Sequence, residues 1–369
     1  MPCLLTAALI VRDEESVLGQ CLRAAKQVAD ELVVVDTGST DSSREIARGM
    51  GAVVLEFPWT GHFSDARNTA LDAATGDWIL YLDADEEIEV EDPAAFRAVL
   101  ENGSRNLAFR PLLKSRSNWT PYREFRVFRN RPDLRFRGVM HETIVPDIKR
   151  ILAVERLLIS PINALIRHSG YDGDQTHKHA RDLPLLMIEL QQTPDRAYLW
   201  DHIGRIHEAL GDQVAAEGAW QQGVQVVRES GSELAVDGLP YGNLLSLRVV
   251  LGRPDITLAR EAITRFPGNP VLLWAGAETA FALKQWRQAV DWIDALLNLD
   301  RDAIADEAVA IDESLIGHVA HDARGQALFE LGHYLEAATA FSVAEALAPE
   351  EPAYRVRRQL ASARAKSAQ

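Results

Sequence analysis

Asp83, Asp85, Glu86 and Glu87 stand within five residues, directly after the apolar run Trp78-Ile79-Leu80-Tyr81-Leu82. Carboxylates grouped this closely can share a hard cation such as Mn²⁺ or Mg²⁺, because such ions take oxygen ligands. Side chains alternate along an extended chain, so Asp83 and Asp85 are expected to point the same way and Ala84 the other. Open α/β sheets bind their ligands at the carboxyl ends of strands, which is where this cluster falls. A solvated acidic turn closing a strand explains an isolated Asp-x-Asp equally well. The surrounding residues have to decide.

The elements around the cluster read as strands alternating with helices. Leu4 to Val11 is an apolar run that breaks into Arg12-Asp13-Glu14-Glu15, and an amphipathic segment follows to about Lys26. Glu31 to Asp36 is a second buried strand, and it runs into Thr37-Gly38-Ser39-Thr40-Asp41-Ser42. Ser42 and Glu45 have the spacing of a capping box, which predicts a helix start there. Ala52 to Phe57 is a third strand candidate, and Ser64 to Ala74 reads as a helix with Asp65, Arg67 and Asn68 in its first turn. Near-continuous apolar strands alternating with helices predict a parallel sheet covered on both faces. Three strands then end in acids on one rim: Asp13-Glu14, Asp36 and Asp83. No G-x-G-x-x-G or Walker lysine loop follows the first strand, so an ordinary dinucleotide or P-loop site loses support. An acidic rim repels a diphosphate unless a metal ion bridges them.

Composition narrows the classes further. A chain of 369 residues exceeds what one core normally holds, and two domains are expected, 1–170 and 171–369. The formal net charge of −15 argues against a nucleic-acid partner. Charge reverses locally, however: Arg105 to Arg137 contains ten basic residues and only Glu124 and Asp133 as acids. That stretch suits a phosphate-bearing ligand, with a charge-protected edge strand as the alternative. No apolar run is long enough to span a bilayer, and Met1-Pro2-Cys3-Leu4-Leu5 has no basic leader, so the expectation is a cytoplasmic protein. Cys3 and Cys21 have no partner spacing and read as buried thiols.

The first third resembles the nucleotide-sugar-dependent glycosyltransferases of family two, which have a GT-A fold. The matching pieces are LIVRDEE from Leu9, ELVVVDTGSTDSS from Glu31, FSDARNTALDAATGDWILYLDADEE from Phe63, FRVFRN from Phe125 and FRGVMHE from Phe136. They occur in the family's order across residues 4–142, and other members of that group fuse the domain to helical repeats. The resemblance implies a UDP-sugar donor. Glu14 and Asp36 would contact the uridine, Asp83 the ribose or metal, and Asp85 the metal. Arg67, Arg126 and Arg129 become candidate diphosphate partners, each with an ordinary ion pair as its plainer role. His168 would be the late third metal ligand that GT-A enzymes often supply. Transfer also needs a base for the acceptor's proton. Glu142 is the first candidate, His141 could orient it or bind acceptor, and Asp65 is the rival.

Beyond about Asp174 the pattern is helical, with His177 and His179 near the start of the first segment. Two histidines two apart on a helix face differently, so no metal pair is expected there. Trp200, Ile203, Gly204, His207, Gly211, Ala216, Trp220 and Gly223 fall at tetratricopeptide spacings. Arg324, Gly325, Leu328, Gly332, Ala337, Phe341, Ala344 and Pro349 make a second copy, with degraded copies around 241–266 and 274–299. Three to four repeats of a TPR-like all-α domain are expected.

Together these residues predict a metal-dependent, inverting glycosyltransferase whose repeats position a peptide, protein or glycan acceptor. A repeat scaffold that only senses a nucleotide-sugar, and a transferase acting on glycolipid or lipopolysaccharide, are the alternatives. Helical repeats can also pair through exposed terminal helices, which would make a homo-oligomer.

Overall fold

A computed structural model of the chain describes residues 3–168, 176–306 and 309–367. It divides into two compact units: Met1–Ser117 with Arg123–Gln192, and Asn118–Tyr122 with Thr193–Gln369. The point between residues 170 and 171, expected to part the domains, lies outside the described residues.

The first unit opens with β1 (Leu5–Val11), α1 (Leu18–Ala25), β2 (Glu31–Asp36), α2 (Ser43–Gly49), β3 (Val53–Glu56), α3 (Phe63–Ala73) and β4 (Trp78–Leu82). It continues with β5 (Glu86–Glu89), α4 (Pro93–Asn102), β6 (Asn106–Lys114), β7 (Tyr122–Arg123), β8 (Val127–Arg129), α5 (Val145–Val154), β9 (Leu158–His168) and α6 (Thr176–Gln192). The strands form one sheet in the order β3-β2-β1-β4-β8-β6-β9-β5, with β7 on β6. β1 to β4 are mutually parallel, as their apolar continuity predicts. The rest of the sheet is mixed: β6 and β9 are parallel, but β8 is antiparallel to both β4 and β6, and β9 is antiparallel to β5. Between β6 and β8 the chain has no crossover helix, and without one a returning strand pairs antiparallel.

One face of the sheet packs on α3 and α5 through Ala66, Ala70, Leu71, Ile148 and Ile151, against Ala8, Val33, Val35 and Ile79. α1 buries Leu18, Cys21, Leu22 and Ala25. The capping box at Ser42 does not form. Asp41 Oδ1 instead accepts the Ser43 amide at 2.9 Å, and the Ser42 amide donates to Glu15 Oε2 at 3.0 Å, because the β1–α1 loop competes for the same groups.

From residue 193 on, the main elements of the second unit among the described residues are helices: α7 (Ala197–Ala209), α8 (Gln213–Ser230), α9 (Leu239–Val250), α10 (Ile256–Arg265), α11 (Pro270–Ala282), α12 (Trp286–Leu297), α13 (Arg301–Asp306), α14 (His318–Glu330), α15 (Tyr334–Leu347) and α16 (Pro352–Ser367). α7/α8, α9/α10, α11/α12 and α14/α15 pack as consecutive hairpins, and α16 covers α15. Four hairpins match the expected repeat number. Short polar caps start three of these helices: Asp212, Asp255 and Asn269 accept backbone amides of the first turns of α8, α10 and α11.

Close approach is what the small residues provide. A Cβ at Gly204 would lie 2.3 Å from Trp220 Nε1, one at Gly325 would lie 2.6 Å from Phe341, and one at Gly276 would lie 3.0 Å from Trp292. In each hairpin the aromatic stands sixteen residues after its glycine, so one spacing sets one contact three times. Residues 118–122 also belong to this unit, where the Thr120 amide donates to the Ile311 carbonyl at 2.8 Å and the Ile311 amide donates to Thr120 Oγ1 at 3.0 Å. Among the described residues no helix is long and apolar enough to cross a membrane.

Candidate functional site

The parallel register brings Val11, Asp36 and Leu82 to one rim, since Val11 pairs with Asp36 and Leu9 with Leu82. The loops after β1 and β2 are laced together there. The Asp13 amide donates to Ser39 Oγ at 3.0 Å, and the Glu14 amide donates to Ser43 Oγ at 2.8 Å. Asp13 has φ of 54°, and its Oδ1 accepts the Thr40 amide at 2.6 Å, which holds its carboxyl below the usual carboxylate range. Asp36 is buried and accepts the Ser39 amide at 3.1 Å through Oδ1. This half of the rim is preorganised by backbone donors.

β4 ends at Leu82, and Asp83 to Asp85 form a turn closed by the Glu86 amide donating to the Asp83 carbonyl at 3.1 Å. The expected alternation therefore does not apply. Asp83 and Asp85 take different partners: Asp83 Oδ1 accepts from Arg67 Nη2 at 2.5 Å, whereas Asp85 Oδ1 lies 3.5 Å from His168 Nε2. The sheet itself places His168, because β9 pairs with β5 so that His168 stands opposite Glu86.

Arg67 is the hub. It projects from the buried side of α3, and its Nε donates to Glu142 Oε1 at 2.5 Å while Nη2 holds Asp83. Its Nη1 is buried with no hydrogen-bond partner. Its guanidinium lies 4.9 Å from the centre of the Tyr81 ring, and that of Arg126 lies 4.4 Å from it. Although burial alone would raise the carboxyl of Asp83, the charges of Arg67 and Arg126 outweigh it and bring its pKa down to about 2. A carboxylate so stabilised stays ionised at any physiological pH.

The other arginines are held differently. Arg126 is buried and fully engaged, with Nη1 and Nη2 both on Glu86 at 2.8 Å and Nε on Glu124 at 3.0 Å. Glu86, itself buried, also accepts the Asp83 amide at 2.9 Å, so this pair braces the acidic turn. Arg129 sits opposite Trp78, at the amino end of β4 and about 15 Å of strand from Asp83. There it stacks on the Trp78 ring at 3.9 Å and donates to the Gly103 and Asn106 carbonyls. Arg131, Arg135 and Arg137 pair with Glu155, Asp72 and Asp147. Much of the basic stretch thus serves structure.

The remaining candidates fall as follows. Glu142 is about nine-tenths buried, follows His141 with its φ of 51°, and is engaged by Arg67 through Oε1. Asp65 is exposed and accepts from Thr60 Oγ1 at 3.1 Å. Cys21 Sγ donates to the Asp83 carbonyl at 3.4 Å, and burial together with the nearby acids pushes its thiol up, so it remains protonated. Cys21 is buried as expected, but Cys3 is only partly so. His179 lies in α6, and the side chain of His177 lies outside the described residues.

Among the described residues no three His, Cys, Asp or Glu side chains converge as a ready-made metal centre. Asp85 with His168 offers a carboxylate and an imidazole side by side, a donor pair that suits Mn²⁺ better than Mg²⁺. Sequence reasoning missed Glu86 as the brace. Its local signal was a third acid beside the pair; its partner, Arg126, comes from 40 residues away.

Residues 6–154 match the model of the family described as glycosyl transferase family 2. A TPR repeat-containing protein of Synechococcus elongatus is 39% identical over 225 residues, covering 59% of this chain and 55% of that protein. An uncharacterized glycosyltransferase of Rickettsia typhi is 34% identical over 103 residues, 27% of this chain and 35% of the relative. The chain thus spans about half or less of these relatives. Glucosyl-3-phosphoglycerate synthase from Mycobacterium tuberculosis, solved with phosphoglyceric acid, is 17% identical with a TM-score of 0.38, over 51% of this chain and 79% of that one.

Proposed function

With residues 6–154 carrying a family-two glycosyl transferase domain, we propose that the first unit moves a sugar from a UDP-sugar to an acceptor positioned by the helical unit, with inversion at the sugar carbon. The observation that carries this reading is one rim holding the ionised Asp83, its Arg67, the Glu142 beyond it, and the Asp85–His168 pair. Asp36 and Glu14 hold the uridine: the first is buried among backbone donors, and the second lies on the loop laced to it. Asp83 receives the ribose hydroxyls.

Asp85 and His168 would hold the divalent cation, which as a Lewis acid offsets the charge gathering on the departing diphosphate. The chain's own residues do the rest. Arg67 fixes Asp83 and Glu142 at one spacing through a single rigid guanidinium. Glu142 takes the acceptor's proton; Arg67 engages its Oε1, and the acceptor approaches Oε2. His141, strained beside it, sets the carboxylate's direction. Asp65, in the first turn of α3 and two residues before Arg67, is the rival base. A peptide or protein is the acceptor best suited to a row of helical hairpins.

The test is calorimetric titration of the full chain with UDP, then UDP-glucose, in the presence of Mn²⁺ and again with chelator. Binding is expected with the ion, lost with chelator, and lost in Asp36→Ala and Asp85→Ala. No binding of any UDP-sugar in either condition would refute the reading.

A further inference from the structure

The candidate base sits on a loop that is held in part from outside the stretch that matches the family. Residues 138–142 are closed at their ends by an antiparallel bridge in which Arg137 and Thr143 exchange backbone hydrogen bonds of 3.0 and 2.9 Å. Within the loop Gly138 has φ of 111°, which glycine adopts freely, and His141 has φ of 51°, a conformation that costs energy in a residue with a side chain. Such a loop keeps its shape only if the surroundings impose it. One restraint is the Val139 carbonyl, which accepts the Phe63 amide at 3.0 Å at the start of α3. Another is Arg67 on Glu142.

The restraint that neither the bridge nor α3 supplies is Glu189, on α6. Its Oε2 accepts the buried Val139 amide at 2.5 Å. Glu189 is 1% exposed and lies on the same seam of α6 as Leu186 and Leu190, both buried. A carboxylate on an apolar seam is costly unless strong donors meet it, and a backbone N–H is such a donor. The fit is close on both sides. A Cβ at Gly138 would stand 3.1 Å from Glu189 Oε1, a tight contact, so the absence of a side chain at residue 138 eases the approach of the loop to the carboxylate. Residue 189 lies 35 positions beyond the last residue of the family match, in a helix that reads from sequence as the beginning of the repeat region.

We propose that Glu189 is a positioning residue for transfer: its carboxylate sets the 138–142 loop and so holds Glu142 on Arg67, next to Asp83. This rests on the glycosyltransferase reading for its consequence but not for its geometry. Helix α6 thereby becomes a working part of the active site, and any movement of α6 is passed to the base rather than to the donor pocket.

The experiment uses the full chain with Glu189→Ala and Glu189→Gln, the second keeping an acceptor oxygen at the same reach. Hydrogen exchange of the segment 138–143 should rise about tenfold or more in Glu189→Ala, with the rest of the first unit unchanged, and stay within about twofold of wild type in Glu189→Gln. In Glu189→Ala, the kcat for UDP release from UDP-glucose should fall by about tenfold or more while UDP affinity stays within about twofold, and Glu189→Gln should restore most of it. Unchanged exchange in Glu189→Ala, or a Glu189→Gln as slack as Glu189→Ala, overturns the clamp. A wild-type chain that neither binds UDP nor releases it from UDP-glucose overturns the transferase reading instead, and the exchange contrast still decides the clamp.

Discussion

The two units bury polar groups for different ends. In the first, Arg67, Arg126, Asp36 and Glu86 are all buried and all partnered, and most of them surround one acidic turn. In the second, the core is alanine, leucine and aromatic rings closing on glycines, and its fully buried carboxylate, Asp201, is only half satisfied. Asn243 donates to Asp201 Oδ1 at 2.6 Å, but Oδ2 has no hydrogen-bond partner, with Arg205 3.9 Å away. Buried charges tied to one another by several charge-assisted hydrogen bonds mark the place where a fold holds groups in one geometry, whereas buried small residues mark where it stacks.

The sharpest way to break this contrast is Arg67→Met. Two carboxylates then lose their shared partner, and a loss of about 3–5 kcal/mol is expected in urea unfolding at neutral pH. Acid titration separates the causes. Asp83 is depressed in the folded state, so its contribution is present above the unfolded value near pH 4 and is lost as pH falls towards about 2. Arg67→Met should flatten that acid limb. An unaltered limb would show that Asp83 is held by something else.

In the helical unit the larger effect comes from a methyl group. Gly204→Ala places a Cβ against the Trp220 indole and should cost about 1–3 kcal/mol. Gly218→Ala, in the same hairpin but with open space at its Cβ, should instead stabilise by about 0.5–1 kcal/mol. Equal effects at the two sites would mean that close approach does not set the hairpin.

Asp201→Asn is the smallest change. Burial raises the Asp201 carboxyl, so its folded form binds a proton more tightly and stability declines as pH rises from the unfolded value near pH 4 through the raised folded value. Asparagine removes that dependence, and a change within about 1 kcal/mol at neutral pH, neutral or stabilising, is expected from thermal unfolding. A loss as large as that of Arg67→Met would put a functional charge in the second unit as well.

Much of this was written in local pattern. The β2 limits, Glu31 and Asp36, follow from a continuous apolar run bounded by polar residues, and the Gly204–Trp220 and Gly325–Phe341 contacts follow from one repeated spacing. The acids after β1, β2 and β4 reach one rim because parallel strands must end together. Residue types and their order were enough for those, since each depends on neighbours along the chain.

Tertiary structure alone decided the pairing. Asp83 is met by Arg67 from α3, while the register of β8 against β4 sends Arg129 to the far end of β4, and Arg126 goes to Glu86. Whether Ser42 caps α2 depends on a carboxylate of the β1–α1 loop, Glu15, that accepts its amide from 27 residues away. Thr120 joining Ile311, and Glu189 closing on Val139, link positions 191 and 50 residues apart. Spacing along a chain carries no record of such contacts, because they form only once sheet register and helix packing have brought distant backbones together.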